Sequence, residues 1–95
     1  MSAITLAVEP IPEGLRERWV ANVDAENADF IRVCNPRDPE DAADLRCLQA
    51  RRAETAALRW VLCEYLGGDL QGLDPFRTRR EAEAEMKRRR AALAA

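Results

Sequence analysis

The chain has 95 residues, of which 34% are charged, with a net charge of −2 and no histidine. This length holds one domain at most, the missing histidine removes Ser-His, Cys-His and His-metal arrangements, and the small net charge gives no global attraction to nucleic acid or to an anionic membrane. Leu, Ile, Val and Phe together number only 20, so the core is thin and a second copy or a partner is expected to complete it.

The N-terminal stretch MSAITLAVEPIPEG has no basic region and only a short apolar run, so a secretory leader is not expected. Within it Ile4–Val8 alternates apolar with small or polar residues and reads as a short strand or an extended arm over 1–12. Two prolines follow, each fixing φ and removing a donor. From Glu13 the spacing turns helical. Leu15, Trp19 and Val23 fall four apart, and Phe30 lies seven beyond Val23, which predicts a helix over 13–33. The stretch FIRVC also fits a short strand, so 28–34 stays open between helix and strand.

The stretch NPRDPED (35–41) is the clearest punctuation. Asp38 suits a helix N-cap, Pro39 the first helical position, and Glu40 and Asp41 the positive end of the dipole. A long central helix is predicted over 39–66, ending at Gly67-Gly68. Its second part, AALRWVLCEYL, is apolar nearly all round and requires cover on several sides. GGDLQGLDPF (67–76) reads as a loop. Thr78 and Glu81 have capping-box spacing and open a charged helix over 77–94. The expected fold is therefore all-α, a helical hairpin or small bundle in one domain. Trp19, Val23, Trp60, Val61 and Tyr65 are expected to form its core or a homodimer surface.

Charge is unevenly spread. Residues 24–44 hold seven acids against Arg32 and Arg37, and residues 77–95 hold seven cations against three glutamates. The acids Asp38, Glu40, Asp41 and Asp44 are the candidate contact face for a protein partner. Arg77, Arg79, Arg80, Lys87, Arg88, Arg89 and Arg90 are the candidate phosphate contacts. The basic run also has a plain explanation as the end of a helix, where cations complement the dipole and Glu83–Lys87 and Glu85–Arg89 form i,i+4 pairs.

No catalytic motif is present. Cys34, Cys47 and Cys63 lack a Cys-x-x-Cys spacing, and on one long helix Cys47 and Cys63 lie about 24 Å apart. The glycines form no phosphate-cradling loop, the acids lack calcium-loop spacing, and the interhelical connections lack the tight turn of a helix-turn-helix. Neither an enzyme activity nor a cofactor nor a metal is expected. No apolar stretch approaches the roughly 20 residues of a membrane helix, and three cysteines without a leader predict reduced thiols in the cytoplasm. The leading expectation is a non-enzymatic protein-binding module, a small adaptor or inhibitor of the kind phages encode, by analogy of size and composition. The alternative is an oligomeric subunit that uses its basic C-terminal helix on nucleic acid.

Overall fold

The computed structural model describes residues 3–94 and overturns the all-α, helical-hairpin expectation. Its elements run β1 (Ile4–Pro10), α1 (Leu15–Glu26), α2 (Ala28–Val33), α3 (Pro39–Ala56), β2 (Trp60–Leu66), β3 (Asp69–Phe76) and α4 (Arg79–Ala94). The strands form one antiparallel sheet in the order β1-β2-β3. The chain divides into two compact units. Pro12–Ala57 is helical, and the other unit joins β1 and Ile11 to everything from Leu58 onward.

The error lies in the stretch from Trp60 to Leu66. An unbroken apolar run fits a helix buried all round, but it also fits a central strand buried on both faces. The second reading holds. Val61 and Leu62 point to opposite faces and both are 0% exposed. Trp, Val and Tyr suit a pleated surface, and pairing to two neighbours outweighs the helical pattern of the preceding residues. The long helix therefore stops at Ala56, with the Ala57 N–H still bonded to the carbonyls of Ala53 and Glu54. Arg59 already bonds to both flanking segments, donating its N–H to Phe76 O and accepting from Ile11 N–H, each at 3.0 Å.

Gly67-Gly68 is a two-residue hairpin turn rather than a helix cap. Both residues have positive φ, 61° and 88°, which is the backbone of the turn whose twist matches antiparallel strands. The predicted loop 67–76 becomes β3. Its register shifts at Glu64/Tyr65, leaving Gln71 as an extra residue, and Pro75 is tolerated because β3 is an edge strand.

Even-numbered side chains of β1 and β2 face α4. Arg79 lies over the Trp60 ring, 5.4 Å from its centroid, and Arg89 binds Asp74, the β3 partner of Leu62. Leu6, Leu62 and Ala82 are buried on that side. Odd positions face the other way, where Val61 and Cys63 are buried. Each fully buried Val or Leu contributes about 1.5–3 kcal/mol.

In the helical unit the predicted helix over 13–33 is broken at Asn27. The Asn27 amide donates to Val23 O at 2.7 Å and so takes up a carbonyl left over at the end of α1. Residues 28–33 are helical, which settles the helix-or-strand question there. α3 starts as expected. Asp38 Oδ1 accepts from Glu40 N and Asp41 N at 2.8 and 3.3 Å, with Pro39 in the first turn. α1 packs on α3 through Arg52–Asp24 (2.9 Å) and Arg51–Glu26 (3.2 Å). Among the described residues this unit buries one large side chain, Val23, which is 6% exposed.

Candidate interaction surfaces

The four acids proposed as a contact face do not act alike. Asp38 is occupied as the N-cap of α3, and Asp41 Oδ2 accepts from Asn35 N at 2.9 Å, tying the preceding turn to the helix. Both are committed to local backbone. Glu40 and Asp44 are exposed, stand one turn apart on α3 and make no ion pair among the described residues. Three further acids, Asp24, Glu26 and Asp29, are held by Arg52, Arg51 and Arg32. Much of the acidity of residues 24–44 is thus neutralised locally.

The same unit exposes apolar side chains that the sequence reading did not single out. On α2, Ile31 is 47% exposed and Val33 72%. The expected stripe continued through Phe30, but the break at Asn27 and the short length of α2 leave Ile31 and Val33 outside any core. Trp19 on α1 is half-buried, one turn from buried Val23.

The basic helix of the other unit is also largely engaged. Arg79 pairs with Glu83 at 2.8 Å while stacking on Trp60. Arg88 grips Glu85 with two nitrogens. Arg89 joins Glu85 (3.0 Å) to Asp74 on β3. Arg90 Nη2 donates to Leu6 O at 3.3 Å. The contacts to Trp60, Asp74 and Leu6 pin α4 to the sheet. The hydrogen bonds from Arg88 and then Arg89 hold the Glu85 carboxyl below its ordinary value. Arg77, Arg80 and Lys87 are exposed and make no ion pair among the described residues. Thr78 closes the expected cap, accepting from Glu81 N at 3.2 Å and donating its hydroxyl to Glu81 Oε1 at 3.1 Å.

On the sheet face away from α4, the Tyr65 hydroxyl donates to Glu9 Oε2 at 2.9 Å, reaching across the Ala7–Cys63 pair. This bond to a carboxylate, followed by burial and the neighbouring Cys63, raises the Tyr65 pKa to about 12. Cys63 lies beneath, its thiol pushed up by burial and by Glu9. A thiol so placed stays protonated and is a poor nucleophile. Sequence reasoning missed this cluster because it placed Tyr65 and Cys63 on a helix, where Glu9 has no route to them. For the same reason the 24 Å separation of Cys47 and Cys63 falls away, since only Cys47 is helical. Cys47 is exposed, Cys34 half-buried, and all three cysteines are free.

Trp60 and Tyr65 are half-buried in the sheet unit, and Val61 lies wholly within its core. Among the described residues no group of three or more Cys, Asp or Glu is placed to hold a metal ion, and no helix is long and apolar enough to cross a membrane. No family model matches the sequence, and no curated protein and no solved structure matches the chain.

Proposed function

We propose that the chain is a non-enzymatic protein-binding module, a small adaptor or inhibitor, whose contact surface lies on the helical unit. The observation that carries this reading is the exposure of Ile31 and Val33, 47% and 72%, in a unit that also presents the unpaired acids Glu40 and Asp44. Apolar anchors supply affinity when a partner desolvates them. Unpaired acids in the same unit favour a basic partner surface and raise the rate of encounter with it. No step of chemistry is required of the module.

The test is capture from a lysate at moderate salt, with the native chain beside Glu40→Gln/Asp44→Asn and Val33→Ser. One stoichiometric protein is expected on the native chain. The charge variant should slow its association and flatten its salt dependence, and Val33→Ser should shorten its residence. Equal retention of that protein by all three chains contradicts the reading.

A second reading, nucleic-acid association, rests on Arg77, Arg80 and Lys87, the cations of the basic stretch that make no side-chain hydrogen bond or ion pair among the described residues. Three duplex phosphate contacts give a salt slope of only about −2.7 per copy. Retention of DNA or RNA at low salt, lost in a triple Arg77→Ala/Arg80→Ala/Lys87→Ala chain, would favour it over the first.

A further inference from the structure

The two edges of the sheet are built differently. β3 is interrupted at Gln71 by the bulge and ends near Pro75, whose missing N–H falls on the outward side. Bulges and prolines of this sort keep an edge from pairing with another strand. β1 has neither over its central residues, and it runs straight through seven consecutive pairs with β2.

The phase of the β1 ladder follows from Ile11, whose N–H donates to Arg59 O in the pair next beyond Pro10–Trp60. In an antiparallel ladder, bonded pairs alternate with unbonded ones. Thr5, Ala7 and Glu9 therefore bond to β2, and the N–H and C=O groups of Ile4, Leu6 and Val8 point away from the sheet. The Arg90 bond to Leu6 O at 3.3 Å agrees with this phase. Among the described residues it is also the one hydrogen bond that reaches this edge.

We propose that the outer edge of β1 pairs with β1 of a second copy, antiparallel about a two-fold axis at Leu6, to form one six-stranded sheet. Centred there, Leu6 faces its own equivalent and Ile4 faces Val8 of the second copy. All three outward residues then exchange backbone bonds, about six in total. The register is self-complementary. No charged residue lies between Ile4 and Val8, so no like charges meet across the axis. Ile4, 41% exposed in the single chain, gains an apolar cross-strand neighbour. A partner strand of another protein would need a matching neutral apolar pattern, whereas a second copy supplies it by symmetry.

Arg90 restrains this pairing. Each copy must release the Leu6 carbonyl, and the two guanidinium groups flank the axis. Arg90→Ala should tighten the dimer about two- to tenfold, the equivalent of one ordinary hydrogen bond. Added salt should tighten it as well, by screening the two cations. Association through the acids of the helical unit would respond to salt in the opposite direction.

The experiment is sedimentation equilibrium of the full chain with residue-resolved amide exchange at low and high protein concentration. The expected result is a dimer in which the Leu6 and Val8 amides are protected at high concentration and lose protection on dilution. The Thr5 and Ala7 amides stay protected throughout. Ile4→Lys, at a position already partly exposed, should leave the sheet intact and abolish the dimer. The proposal is overturned by a monomer at all concentrations up to about 1 mM. It is equally overturned by a dimer whose Leu6 and Val8 amides exchange freely, or by protection of those amides that ignores concentration.

Discussion

The two halves of this chain stabilise themselves by different means. The sheet unit buries Leu6, Val61, Leu62, Cys63 and Ala82, whereas the helical unit buries Val23 alone among the described residues. Its helices are held by an Asp38 cap, an Asn27 C-terminal bond and two exposed ion pairs between α1 and α3. A cap is worth about 1 kcal/mol and an exposed ion pair about 0–1 kcal/mol. Cooperative stability therefore resides in the sheet. The helical unit is the part that a binding partner would gain most by ordering.

The contrast should be largest in the cores. Leu62→Ala removes a side chain that is 0% exposed and should cost about 2–5 kcal/mol in chemical denaturation. Leu45→Ala, at a half-buried site on α3, should cost about 1 kcal/mol. Equal costs would erase the distinction. Turn and cap come next. Gly68→Ala forces a side chain into a backbone with φ 88° and should cost about 1–2 kcal/mol. Asp38→Ala should cost about 1 kcal/mol, read as lost helicity with the sheet amides unchanged.

Titrations give the smallest effects. The Glu85 carboxyl lies below its ordinary value of 4.5 because Arg88 and Arg89 bond it. The unfolded chain thus binds the proton more readily. The contribution is complete above about pH 4.5 and is lost as pH falls through the lower folded value. Glu85→Gln should flatten this acid limb of the stability curve. Tyr65 behaves in the opposite sense. Its folded pKa is raised from 10.0 to about 12, so its contribution is present below pH 10.0 and is lost as pH rises through about 12. The chain has one tyrosine, so tyrosinate absorbance reads the site directly. Glu9→Gln should bring the midpoint back toward 10.0, and an unmoved midpoint would show that the bond to Glu9 is not its cause.

Local chemistry was legible in the sequence wherever neighbouring residues decide the outcome. The Asp38-Pro39 start of α3, the Thr78–Glu81 cap and the charged α4 all follow from residues within one turn of each other. The sheet was not legible in this way. β2 is defined by Ile4–Pro10, fifty or more residues away, and by a hairpin whose Gly-Gly turn also resembles a helix end. An apolar run without alternation carries no period to separate a central strand from a buried helix. The candidate surfaces inherited that error. The acids and cations were found as residues, but which of them are already paired depends on contacts such as Arg89–Asp74 and Arg90–Leu6 that appear only once the sheet exists.

The unequal stability of the two units is tested most directly by native-state amide exchange of the whole chain, residue by residue, under conditions where exchange reports opening free energies. The bonded amides of β2 and β3 should open only with global unfolding. Those of α1 and α3 should open at free energies several kcal/mol lower. Equal opening energies in both units would contradict the account and would make the chain one cooperative body, with the helical unit as firmly held as the sheet.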